Sequence, residues 1–431
     1  MNKKENFKLL IQEFQEFTFP EIIERELKIP LNSNKIITIY GPRRSGKSFY
    51  FYGLINNLLL GGIRKDKILY LSFEDDRILP LSSENMNELL EAYFELYPDN
   101  KKEEVFLFFD EIQKIKDWEV FIRRVYDKEK VKIFLTGSSS KLLSREIATA
   151  LRGRSLSFAL YPLNFREFLK FKNEPVGKNY EYTQQRYKIK KLLNEYLEFG
   201  IFPEIALTEN INIKKSILKE YFDLLVYRDL VERFSIKNID LLKDLLKFLF
   251  TNITSLFSVN SYYKFVKQIL PASRETIYEY LANIKETDYF YTLPIFSYSL
   301  KEQKVNLQKI IALDNGLRNR VSFKFSKDFG KLAENMVGSI LAQIHKENLY
   351  YWQDKQEVDF VVHNEGKLEA INVSIGTTIE DREINALLEF GKNFKKVDRF
   401  VLITKDIQKK EGQIEYIPLY KWLLEYKNLR A

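Results

Sequence analysis

Along the first third of the chain, short apolar runs alternate with polar stretches of helical character. IITIY (36–40), ILYLSF (68–73), VFLFF (105–109) and KIFLT (132–136) are almost wholly apolar, without the in-out alternation of a half-exposed strand. Such runs suit strands covered on both faces, as in a parallel α/β sheet. The stretches between them supply the helices of right-handed βαβ crossovers. LSFAL (156–160) is a fifth candidate strand, after which YPLNFREFLKF turns amphipathic. From about Asn164 the apolar residues recur at three- and four-residue spacing, as in EYFDLLVYRDLVERF and LLKDLLKFLFTNI, which predicts a helical region. Within it, SVNSYYKFVKQI and SRETIYEYLANIKETDYF predict two helices joined by a turn containing Pro271, the second capped by Ser273 with Glu275 in its first turn. After about Asn306 the pattern mixes again: LQKIIALD, a helix near 330–345, then the strand-like pair VDFVVH and LEAINVS. There is no internal repeat and no low-complexity segment.

Composition narrows the chemistry. With 431 residues, two to three domains are expected, and 45% hydrophobic and 15% aromatic content supplies buried cores. The 34 Phe and 26 Tyr make those cores unusually aromatic. No cysteine is present, which excludes disulfides, cysteine-ligated metals and a thiol nucleophile. His345 and His363 are the only two histidines, which argues against a multi-histidine metal site or a Ser-His-Asp triad. The net charge of +8 is modest and spread along the chain, permitting nucleic-acid contact without arguing for it. The charged N-terminus is unlike a secretory signal, and no apolar run reaches the roughly 20 residues that span a bilayer. A soluble cytoplasmic protein without membrane partners is expected.

GPRRSGKS (41–48) matches the phosphate-binding pattern G-x-x-x-x-G-K-[ST] in full, directly after one apolar run and before a helix-like stretch. In such a loop the backbone of Gly41, Pro42, Arg43, Arg44, Ser45 and Gly46 curls around phosphate oxygens. The following helix adds its positive end. Lys47 would reach the terminal phosphates and Ser48 would hold Mg²⁺ through its hydroxyl. In VFLFFDEIQ, Asp110 ends a buried run and is the expected metal-side carboxylate, and Glu111 follows as general base for a water. A simpler role for both acids is capping the next helix. KIFLTGSSS places Thr136 and Ser138 where they would sense the γ-phosphate if that strand lies between the other two; a solvated turn is the equal alternative. In LRGR, Arg154 could stabilise phosphate charge in cis or across a subunit interface, and the alternative for Arg152 and Arg154 is plain surface charge.

GPRRSGKS, FDEIQ, LTGSSS, LRGR and YPLNFREFL, in this order, resemble the archaeal and bacterial AAA-type ATPases that carry an uncharacterised C-terminal domain of the DUF4143 type. YLEFGIFPEI, YRDLVERF, IALDNGLRN, FGKLAENMV and QEVDFVV look like the same family's later segments, so the likeness spans nearly the whole chain. The resemblance implies an α/β P-loop NTPase core of the additional-strand (ASCE, AAA) type over residues 1–165 and a helical region with a winged-helix-like element over 166–305. It further implies a small α/β domain related to restriction-endonuclease folds over 306–431. It also implies ATP rather than GTP.

Nucleases of that fold hold Mg²⁺ with an Asp, then a Glu two residues before a Lys. Glu334 and Asp359 occupy acidic positions here, but the next strand has Asn372 for the Glu and Ser374 for the Lys. An amide is a poorer Mg²⁺ ligand and a serine carries no charge. Glu369, three residues before Asn372, belongs on the opposite strand face. No nuclease activity is expected. The second helix of the 258–290 pair carries Glu275, Glu279, Glu286 and Asp288 against Arg274 and Lys285, a poor balance for a phosphate-facing helix. The resulting expectation is a Mg²⁺-dependent ATPase whose nucleotide state moves its C-terminal domains against DNA or a protein, with homo-oligomerisation open. The alternative is a slowly hydrolysing nucleotide-dependent switch.

Overall fold

The computed structural model describes residues 3–82, 85–137, 151–322, 328–376, 378–394 and 396–426. The chain divides into two compact units at Pro162/Leu163.

At the centre of the first unit are β1 (Ile36–Tyr40), β2 (Ile68–Ser72), β3 (Val105–Asp110), β4 (Val131–Gly137) and β5 (Ser155–Ala159). All pair in parallel, in the order β2-β3-β4-β1-β5. Helices α1 (Lys3–Glu16), α2 (Lys47–Leu60), α3 (Asn85–Leu96) and α4 (Trp118–Lys128) cover it. Leu107 and Phe109 enter one core cluster with residues of α3 and α4, whereas Phe106 and Phe108 enter a second with residues of α2. Both faces of β3 are thus dry, which explains why its apolar run is continuous rather than alternating. β4 does lie between the strand feeding the phosphate loop and the strand ending in Asp110.

The second unit contains, in chain order, the helix Ile239–Thr251, β6 (Leu256–Phe257), helices Val259–Val266 and Arg274–Lys285, β7 (Phe290–Leu293) and β8 (Gln308–Ala312). β8 sits between β6 and β7 and pairs antiparallel with both. Ser273 caps its helix, accepting from the Thr276 N–H. A division at 305/306 would cut β8 away from β6 and β7; the structure has no break there, because that strand is the middle of their sheet.

Beyond β8, the helix Phe329–His345 leads to a six-stranded mixed sheet. Its strands are β9 (Leu349–Gln353), β10 (Glu357–Asn364), β11 (Lys367–Ser374), β12 (Arg399–Thr404), β13 (Lys409–Glu411) and β14 (Ile414–Pro418). The predicted strand pair is the antiparallel β10–β11 hairpin, with Phe360 opposite Ile371. Among the described residues no helix is long and apolar enough to cross a membrane.

Candidate nucleotide and metal site

The phosphate loop connects β1 to α2. Two of its glycines are required by geometry. Gly46 has φ 94°, in the region L side chains avoid. At Gly41 (φ 157°) an added Cβ would lie 2.2 Å from the Leu160 carbonyl oxygen. Gly41→Ala should therefore force β1 and β5 apart at the mouth of the loop. The expected cost is about 1–3 kcal/mol of stability, as for overpacking elsewhere, with loss of nucleotide binding. Thermal unfolding and a fluorescent-nucleotide titration check it, and an unchanged titration would mean the loop absorbs the methyl.

Lys47 is buried, and its ammonium donates to the Gly41 and Pro42 carbonyl oxygens at 3.1 Å each. It also lies 3.8 Å from Glu111 Oε1. The cation is thus held inside the loop's curve, where phosphate oxygens belong. Arg25, not singled out from the sequence, clamps the loop from behind: its buried guanidinium donates to the Ser45 carbonyl at 2.8 Å and the Tyr161 carbonyl at 2.7 Å. It lies in a stretch without motif, EIIERELKIP, where it stands between Glu24 and Glu26 and reads as ordinary surface charge. Arg43 reaches outward to Glu74 at 3.4 Å, and Arg44 adopts φ 66°.

At the end of β3 the acids meet the loop. Ser48 Oγ donates to Asp110 Oδ2 at 2.6 Å, and Tyr70 Oη to the same oxygen at 3.3 Å. Thr136, fully buried at the end of β4, donates to Asp110 Oδ1 and accepts from the Glu111 N–H at 3.0 Å. Thr136 therefore orients both acids, its hydroxyl hydrogen given to Asp110; of the two alternatives weighed for it, a solvated turn does not fit a fully buried residue. Burial, then the Glu111 charge, push the Asp110 carboxyl above its ordinary range, while Ser48, Thr136 and Lys47 pull it back. Glu111 stands at φ 57°, a strained left-handed backbone of the kind concentrated at functional sites, with Gln113 donating to its carboxylate. Ser48 and Asp110 offer a hard, all-oxygen donor set, which fits Mg²⁺. Such an ion would neutralise phosphate charge at that point.

Arg154 is not brought to this site. It precedes β5, its carbonyl accepts from the Ile36 N–H at 2.9 Å, and its guanidinium pairs with Asp127 at 3.0 Å. The length of β1 separates it from the loop, roughly 16 Å at about 3.3 Å per residue. Of the cis and trans roles left open for Arg154, the cis one does not fit, because parallel pairing fixes it at the opposite end of the strands. Arg152, exposed, lies two residues earlier. Ser138 lies outside the described residues.

A model of the AAA domain matches residues 33–169, and two models of domains of unknown function match residues 190–328 (DUF8612) and 329–422 (DUF4143). The uncharacterized protein MJ1544 of Methanocaldococcus jannaschii is 40% identical over 422 residues, covering 94% of this chain and 92% of its own. The chain belongs to the family of AAA P-loop proteins that carry a DUF4143 domain. An uncharacterized protein of Haemophilus influenzae is 29% identical over 394 residues, 90% of this chain and 94% of its own. Among solved structures, a Walker-type ATPase of Pyrococcus abyssi, paby2304, matches 74% of this chain and 95% of its own at 16% identity and a TM-score of 0.41.

In the DUF4143 region the acidic positions converge on a lysine that precedes it. Lys309, from β8, is fully buried, and its ammonium lies 2.6 Å from Glu334, 2.8 Å from Glu357 and 3.1 Å from Asp359. Burial alone would lower the Lys309 pKa, but the three carboxylates, Asp359 first, raise it well above the ordinary value. Glu334 is pushed up, by burial first and then by Asp359, against the pull of Lys309. Asn372 is fully buried too: it accepts from the Asp359 N–H at 3.0 Å and donates to Glu383 Oε2 at 3.0 Å. Asp359 Oδ2 takes the Val373 N–H at 2.9 Å. Glu369, as expected, is elsewhere, paired with Arg399 at 3.1 Å.

Proposed function

We propose that this family member is a Mg²⁺-dependent ATPase whose nucleotide state repositions its C-terminal unit against a partner. One observation carries the reading: Ser48, Asp110, Thr136 and Glu111 form a single hydrogen-bonded chain around the buried Lys47. Lys47 would bind the terminal phosphates, Ser48 and Asp110 would hold the cation, and Glu111 would take the proton of the attacking water. Arg25 keeps the loop in register from behind. Arg154 would act only in trans, from one subunit to the next.

The reading includes no phosphodiester cleavage by the DUF4143 domain. Its support is Lys309, an ammonium already seated among Glu334, Glu357 and Asp359, together with Asn372, whose amide is committed to protein partners. A DNA partner has little support in the helix Arg274–Lys285, whose exposed positions include Glu275 and Glu279 beside Arg274. A protein partner is the better match.

Phosphate release is the test, measured with Mg²⁺ or EDTA, with ATP or GTP, and with duplex DNA added. ATP- and Mg²⁺-dependent release is expected, unchanged by DNA. Lys47→Ala should weaken ATP binding about 10- to 100-fold, as expected for losing one charged hydrogen-bonding group at about 1.5–3 kcal/mol. Binding without release would instead leave a nucleotide switch.

A further inference from the structure

Tyr70 lies in the middle of β2, inside the run ILYLSF that suggests nothing but core. Its hydroxyl has a specific target. It donates at 3.3 Å to Asp110 Oδ2, the oxygen that also takes the Ser48 hydroxyl at 2.6 Å. The phenol is fixed on both sides, by the ring of Phe14 with centroids 5.5 Å apart and by that of Tyr52, also at 5.5 Å. Tyr52 Oη is 3.4 Å from Tyr70 Oη, and Tyr52 stands one turn after Ser48 on the same face of α2.

A serine that ligates a cation must aim a lone pair at it, so its hydrogen has to be taken from another direction. Asp110 Oδ2 takes that hydrogen. The carboxylate can do so only while its own rotation is fixed, because a terminal carboxylate torsion is otherwise broad. The two oxygens turn as one rigid group, and Thr136 on Oδ1 and Tyr70 on Oδ2 together define that torsion. Building on the ATPase reading above, we propose that Tyr70 is a positioning residue for cation binding, acting through Asp110 on Ser48. Outer-shell donors of this kind change metal affinity about 10- to 100-fold when removed. Tyr70 also has no role in gripping phosphate, so its loss separates cation affinity from nucleotide affinity.

The test is Tyr70→Phe, which keeps the ring packed against Phe14 and Tyr52, in the full chain. A fluorescent ATP analogue is titrated in EDTA and then at rising Mg²⁺. The wild type should bind in EDTA and bind more tightly as Mg²⁺ is added. Tyr70→Phe should keep the EDTA affinity within about twofold and need about 10-fold more Mg²⁺ for half of the enhancement, by the outer-shell precedent. Tyr52→Phe, which leaves the Tyr70–Asp110 bond in place, should keep the wild-type midpoint. An unchanged Mg²⁺ midpoint in Tyr70→Phe overturns the inference, and so does an equal loss in EDTA, which marks a purely structural tyrosine. A wild type that binds no nucleotide at all removes the ATPase reading itself, whereas the first two outcomes leave that reading intact.

Discussion

Lys309→Met should unfold or severely loosen the C-terminal unit. The side chain is fully buried and its ammonium is shared by Glu334, Glu357 and Asp359. Taking the charge out leaves Glu334 and Asp359, both largely buried, without the ammonium they share, a change that costs about 3–5 kcal/mol when one partner of a buried pair is removed. For a unit of this size that corresponds to a fall in melting temperature of about 6–10 °C, read by calorimetry or circular dichroism. Glu357→Gln should cost far less, since Glu357 is partly exposed and two acids still face Lys309.

The same cluster sets a pH dependence with a definite sign. Glu334 titrates above its ordinary value even with Lys309 present. In Lys309→Met the folded state would hold carboxyl protons still more tightly than the unfolded chain does. A carboxyl raised in the folded state favours folding at low pH, and that advantage is lost as pH rises from the unfolded value through the folded one. The deficit of Lys309→Met against wild type should therefore be smaller near pH 5 than near pH 8. If the single variant does not fold, Lys309→Met/Asp359→Asn should recover part of the stability, because Asn at 359 keeps an acceptor for the Val373 N–H while shedding charge. A deficit independent of pH, or greatest in acid, would show that the ammonium is not what neutralises these acids.

Where one type of signal decided the outcome, the sequence was readable. The strands β1 to β4 follow their apolar runs because helices cover both faces of the sheet there, and the loop at 41–48 stands out because phosphate geometry demands its glycines. Long-range partnerships were less readable. Lys309 opens the apolar stretch KIIALD and looks like an ordinary polar flank; its burial depends on acids 25 to 50 residues further along, brought in by a helix and a strand whose packing no local pattern encodes. β8 was assigned beyond a division at 305/306 for a similar reason, since its partners β6 and β7 precede it across a long connection. Arg154 is a further case. LRGR offered a guanidinium for a phosphate without saying at which end of the sheet it lies, and the five paired residues of β1 and β5 hold it at the far end.

Glu111→Gln should leave a protein that binds ATP at least as well as the wild type and hardly turns it over. The backbone at Glu111 is fixed by its N–H to Thr136 and by the left-handed turn after β3, so the amide would occupy the carboxylate's place. Gln113 can still donate to the side-chain oxygen. What disappears is basicity and charge. Glu111 Oε1 lies 3.8 Å from the Lys47 ammonium, and that ammonium would be drawn toward phosphate oxygens once they enter the loop. The carboxylate would then be left facing the water that attacks, next to a negatively charged nucleotide. Removing its charge lessens repulsion in the bound state, so the dissociation constant should stay equal or fall. Removing a general base costs about 100- to 10,000-fold in turnover. Turnover is lost while binding is kept, which no simple folding defect reproduces, since misfolding lowers binding and turnover together. Steady-state phosphate release and a nucleotide titration on the same preparation decide it: turnover within a few-fold of wild type would remove Glu111 from the proton transfer and leave it as a backbone anchor for Thr136.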